Sequence, residues 1–176
     1  MTESTLFTPA DAATAHEVRQ WLAHESRLLD EGRFDDWFLL LDDDIDYDIP
    51  MRVATDRRED ETAAPTSRIK DAKEQLRVRI ERLRTGIAYA EMPPSRTLRV
   101  VGEVEVSAPG PDAPEVVEAC SAMLLYRQRA IDAHFDLVPA RRYDRFRRTP
   151  DGLRLLARRV ILTETIVATP NLGVFL

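Results

Sequence analysis

The chain has 176 residues, 44% of them hydrophobic and 32% charged, with a net charge of −6. A chain of this length can bury roughly 70% of its unfolded surface without a covalent staple, so residues 1–176 are read as a single domain. The acidic balance excludes the basic field that nucleic-acid binding draws on, and no apolar run approaches the roughly 18 residues of a membrane span. The opening MTESTLFTPADAA lacks a basic stretch followed by an apolar one, so the expected location is cytoplasmic.

Thr8-Pro9-Ala10-Asp11 predicts a helix start, with Thr8 as N-cap, Pro9 in the first turn and Asp11 at the third position. Val18, Trp21, Leu22, Glu25, Leu28 and Leu29 then follow helical spacing, and Gly32 ends the helix. Phe34, Trp37, Phe38 and Leu41 predict a shorter second helix from about Asp35, closed by Asp42-Asp43-Asp44. Ile45, Tyr47 and Ile49 alternate with Asp46 and Asp48 as a half-buried strand that Pro50 stops or pushes to an edge. Residues 55–68 contain almost nothing to bury and read as a mobile loop. Leu76, Ile80 and Leu83 mark a third helix ending at Gly86. Three or four long β segments follow, at about 96–107, 115–130, 134–148 and 153–167, the last two joined by Thr149-Pro150-Asp151-Gly152. Helices first and consecutive strands later predict an α+β domain, its helices packed on one face of a curved, mostly antiparallel sheet.

Candidate chemistry is sparse. The single Cys120 can form no internal disulfide, and His16, His24 and His134 do not have the H-E-x-x-H spacing that brings ligands onto one helix face, so no metal is expected in this chain. Phosphate-cradling glycine loops and a G-x-S-x-G turn are absent from the sequence. Glu25 is the sharper case, because it lies on an apolar stripe where a carboxylate is destabilising unless paired. Two readings stand: an acid/base group assisted by Asp30 or His24, or a carboxylate paired with arginine at a core edge. Arginine is abundant, since all 25 basic residues except Lys70 and Lys73 are Arg. The rows Arg141 to Arg148 and Arg158-Arg159 read either as a cationic interface or as the solvated face of strands. The ending Asn171-Leu172-Gly173-Val174-Phe175-Leu176 is apolar enough that it must be buried in this chain or against a partner.

Five segments together carry a resemblance: WLAHESRLLDEGRFDDW (21–37), DDDIDYDIP (42–50), RVRIERLRTG (77–86), AYAEMPPSRT (88–97) and the closing ARRVIL and NLGVFL. In this order they resemble the β (small) subunits of bacterial aromatic-ring-hydroxylating dioxygenases. Met92, Tyr89 and Gly173 depart from that family's usual acidic residue, Trp and Ser. The resemblance implies a cystatin-like or NTF2-like cone, a strongly curved, mostly antiparallel sheet wrapped on N-terminal helices. It also implies a hexamer of three α and three β chains, in which the β chains form a structural trimer. The α subunit would carry the Rieske [2Fe-2S] cluster and mononuclear iron, and NAD(P)H would supply electrons through a reductase, sometimes via a ferredoxin. The reaction implied is addition of both atoms of O₂ to an aromatic ring, giving a cis-dihydrodiol. A free-standing cone-fold isomerase or dehydratase using Glu25, Asp30 and His24 is the alternative. The two prolines of MPPSR stiffen the entry to a strand and aim Arg96 outward. Candidate subunit contacts are Pro94, Ser95, Arg96, Arg142, Arg158, Asn171 and Phe175.

Overall fold

A computed structural model describes residues 7–62, 66–85, 93–129, 133–167, 169 and 171–176. Gly86, Tyr89 and Met92 lie outside the described residues. Helix α1 (Ala12–Asp30) carries the predicted stripe inward, with Val18, Leu22, Glu25, Leu28 and Leu29 all buried. Its N-cap is Asp11 rather than Thr8: the Asp11 carboxylate accepts the amides of Ala13 and Thr14, both at 2.9 Å. Asp at this position outcompetes Thr because a charged acceptor also meets the positive end of the helix. Gly32, with φ of +70°, turns the chain out of the helix at no side-chain cost.

Helix α2 (Phe34–Phe38) is one short turn. Asp42, Asp43 and Asp44 do not close it but lie in strand β1 (Leu41–Pro50), where Ile45, Tyr47 and Ile49 point inward. The acidic run misleads because three neighbouring carboxylates favour solvent in either structure, and here cross-strand cations fix the strand: Arg147 reaches both Asp42 (2.7 Å) and Asp44 (3.0 Å). Pro50 ends β1. Among its described residues the stretch read as a loop holds a 3-10 turn at Arg58–Asp60, and its last residues begin strand β2 (Ser67–Asp71). Helix α3 (Lys73–Arg84) buries Leu76 and Ile80.

Strands β3 (Arg96–Ser107), β4 (Val116–Gln128), β5 (Phe135–Thr149) and β6 (Gly152–Leu162) form a meander. The β5–β6 turn closes with Thr149 facing Gly152, whose φ of +112° only glycine adopts readily. The six strands make one open sheet in the order β2-β1-β6-β5-β4-β3. Every pairing is antiparallel except β1 with β6, so β1 is inserted between β2 and β6 and is not an edge. Register shifts after Gly102 in β3 and after Arg145 in β5 add local bends. The apolar faces of α1 and α3 lie with the inward residues of the sheet in one core, which includes Phe175 and Leu176.

Candidate functional site

Along β5 the parity that buries Val138, Ala140 and Phe146 also turns Arg142 and Asp144 inward, while Arg141, Tyr143 and Arg145 face out. The β6 bulge does the same for Arg158, which sits between the inward Leu155 and Val160. The arginine-rich rows are therefore not simply a solvated face: Arg142, Asp144 and Arg158 are buried with Glu25 of α1. No alternation of hydropathy marks them, because their charges are cancelled by partners far away in sequence.

The Glu25 carboxylate is saturated. One oxygen accepts Trp37 Nε1 (3.0 Å) and Arg158 Nη1 (2.7 Å), and the other accepts Arg158 Nη2 (2.9 Å) and Arg142 Nη1 (3.3 Å). Arg158 in turn grips Asp144 through Nε (2.8 Å) and Nη2 (2.9 Å), and its Nη1 also reaches the carbonyl of Leu176 (3.2 Å). All five guanidinium donors have acceptors, an arrangement a lysine ammonium with three donors cannot reproduce. Burial alone would push the Glu25 carboxyl up; the Arg158 and Arg142 charges and hydrogen bonds outweigh it and hold the pKa below the ordinary value. A carboxylate with four donors on its oxygens has no lone pair for a proton in transit, so Glu25 fits the paired reading and not the acid/base one.

The presumed assistants are elsewhere. Asp30 accepts the Arg99 amide and Thr97 Oγ1, both at 2.9 Å, and pairs with the Arg99 guanidinium. His24 is exposed and faces Arg27, whose Nη2 lies 3.2 Å from Nδ1. All three lie on α1, at positions 24, 25 and 30, but point to different surroundings. Cys120 is a free, half-buried thiol whose pKa burial pushes up. Among the described residues no group of three or more His, Cys, Asp or Glu side chains is placed to hold a metal ion.

The remaining interior is taken by the apolar ending. Phe175 packs its ring against Trp37 (centroids 4.4 Å apart) and Phe34 (5.8 Å), under the Arg79 guanidinium (4.6 Å). Arginines hold the backbone of this segment: Arg127 the carbonyl of Asn171 (2.9 Å), Arg79 those of Leu172 (3.2 Å) and Val174 (3.4 Å), and Arg99 that of Phe175 (2.6 Å). Tyr47 Oη accepts the Leu176 amide (2.8 Å) and donates to its carbonyl (2.9 Å), and burial pushes this phenol up so that it keeps the proton it donates. The sequence reading places Tyr47 inward but does not single out Arg79, Arg99, Arg127 or Asp144; strand parity is a signal for Arg127 and Asp144, whereas in β3 the alternation of Leu98 and Val100, both exposed, points away from Arg99.

Of the candidate contact residues, Arg142, Arg158 and Phe175 are buried within the chain and offer no surface to a partner. Asn171 is half-buried and its side chain accepts Arg127 Nη2 (3.2 Å) and the Gly173 amide (2.8 Å). Ser95 Oγ accepts Arg127 Nε (3.1 Å), which ties the MPPSR segment to the ending, while Pro94 and Arg96 are exposed.

This architecture has relatives. A chain of a naphthalene 1,2-dioxygenase structure with indole in its active site superposes with a TM-score of 0.83 at 25% identity, covering 94% of this chain and 87% of that one. An NTF2-like protein with a cystatin-like fold from Novosphingobium aromaticivorans gives a TM-score of 0.57 at 19% identity, covering 87% and 84%, a likeness of fold alone. The N,N-dimethyl phenylurea N-demethylase subunit beta of Sphingobium sp. (strain YBL2) is 41% identical over 159 residues, 90% of this chain and 89% of the relative. Residues 24–169 match the family described as ring hydroxylating beta subunit, and with that match spanning the network residues from Glu25 to Arg158, the chain belongs to this family.

Proposed function

We propose that this chain is the non-catalytic β subunit of a Rieske-type aromatic-ring-hydroxylating dioxygenase, acting as a single domain that trimerises and holds three α subunits in register. The observation that supports it most is chemical: the one interior carboxylate of α1 has all its lone pairs committed to Trp37, Arg142 and Arg158. An enzyme using this interior would need an uncommitted acid or base beside an open cavity. In this reading the α subunit supplies the Rieske [2Fe-2S] cluster and the mononuclear iron, and a reductase delivers electrons from NAD(P)H in the cytoplasm. The described helices include none long and apolar enough to cross a membrane. The exposed Pro94 and Arg96 are the contact candidates that remain on the surface.

The reaction we favour is dihydroxylation of an aromatic ring in a catabolic route. The 41% identity to the beta subunit of an N-demethylase favours a second reading, oxidative removal of an N-methyl group from an aromatic urea. The test is to purify the chain alone and with the product of the neighbouring α-type gene, measuring mass by light scattering and iron content. A complex near three plus three subunits that holds iron, beside an iron-free lone chain, is the expected result. A chain that ignores the α product overturns the proposal. Assaying the complex for cis-dihydrodiol or for released formaldehyde separates the two reactions.

A further inference from the structure

The place filled by Phe175 has the parts of a small-molecule site. Its walls are the Trp37 and Phe34 rings, with the Arg79 guanidinium over the face of the Phe175 ring. Its polar end is Arg99 Nη2, 2.6 Å from the carbonyl of the same residue that carries the ring. A phenyl ring separated from a carbonyl by two carbons is thus what the pocket holds now, and the chain itself provides it.

The charge of the surroundings selects the ligand class. Arg79, Arg99 and Arg158 bond the backbone of residues 172–176, and each belongs to a set that is already neutral: Arg79 with Asp71, Arg99 with Asp30, and Arg158, together with Arg142, with Glu25 and Asp144. With four cations matched by four carboxylates, an added anion would stay unbalanced in a buried place, where an uncompensated charge is strongly disfavoured. Peptide carbonyls are neutral acceptors, and the arginines reach those of Leu172, Val174 and Phe175 without disturbing that balance.

We propose that the interior between α2, α3 and β3 is a binding pocket for a neutral arylalkyl carbonyl compound, occupied in cis by Phe175. With the segment removed, the ring of such a compound lies between Trp37 and Arg79 and its carbonyl oxygen accepts Arg99 Nη2. This inference does not depend on the α partner or on which oxygenation the complex catalyses.

The test compares the full-length chain with a variant lacking residues 174–176, titrating each calorimetrically with 3-phenylpropanamide and with 3-phenylpropanoate. The expected result is saturable binding of the amide, one per variant chain, at least tenfold tighter than the carboxylate, and no binding to the full-length chain. At ten times its Kd the amide raises the thermal midpoint of the variant by about 3–5 °C. A folded variant that binds neither compound overturns the proposal, as does equal binding by the full-length chain, and tighter binding of the carboxylate overturns the neutral class. Should the shortened chain not fold, Phe175→Ala in the full-length chain is titrated with toluene: one site per chain, absent before the substitution, supports the aromatic pocket, and no binding overturns it.

Discussion

Replacing Glu25 by Met removes the only carboxylate among the described residues within hydrogen-bond distance of Arg142, while Arg158 keeps its two bonds to Asp144. Arg142 would then hold a buried charge against Ser121 Oγ at 3.4 Å, with Nη2 already lacking a partner. Breaking one partner out of a fully buried pair costs about 3–5 kcal/mol, a large share of the roughly 5–15 kcal/mol that holds a domain folded. The folding equilibrium should therefore fall by two to four orders of magnitude. The second substitution decides the cause: adding Arg142→Met removes the stranded charge and leaves the neutral pair Arg158–Asp144. The double variant should be more stable than Glu25→Met alone by about 1 kcal/mol or more, because an apolar pair of similar volume replaces a charge pair at little net loss. Urea unfolding at fixed protein concentration, followed by the fluorescence of Trp37, which donates to Glu25, measures both. A loss below about 1 kcal/mol for Glu25→Met, or a double variant as unstable as the sum of the two singles, would refute the charge-balance reasoning.

Three further outcomes are expected. Because folding holds the Glu25 pKa below its ordinary value of 4.5, its stabilising contribution is complete above that pH and is lost as pH falls through the lower folded value. Acid titration of stability should consequently be shallower below pH 4.5 in Glu25→Gln than in the parent, and identical slopes would contradict the assignment. Arg127→Ala should speed amide hydrogen exchange in residues 171–176 at least tenfold while leaving β6 unchanged, since Arg127 ties Ser95 to Thr169 and Asn171; equal protection would refute that tie. Gly152→Ala should lower stability by about 1 kcal/mol or more through its φ of +112°, whereas Gly102→Ala, with open space at the added methyl and no such angle, should be near neutral by thermal melting.

Much of the fold could be read from local chemistry. The stripe from Val18 to Leu29, the alternation of Ile45, Tyr47 and Ile49, and the four long β segments each repeat with the period of their element, and all of these appear. The Asp-Gly turn at 151–152 and the glycine exit at Gly32 follow from backbone conformations that side chains resist. Thr8 and the aspartates at 42–44 misled for one reason: a capping or solvated side chain satisfies two local structures nearly equally, and a distant partner decides. For Thr8 that partner is the chain just past β3, where the Ala108 amide bonds its carbonyl; for the aspartates it is Arg147.

By itself, the sequence put Glu25 on a buried apolar stripe, where a carboxylate is destabilising unless paired, and left open whether it met an arginine or served as an acid or base. Which cation it met was a matter of tertiary structure alone. Arg142 and Arg158 lie 117 and 133 residues away, and they arrive only because β1 slips between β2 and β6 and because a bulge sets the inward parity of β6. Periodicity reports which face of an element is buried, since that is a local property of helix and strand geometry. Pairing across the core is a property of strand order and register, which no short stretch of chain contains.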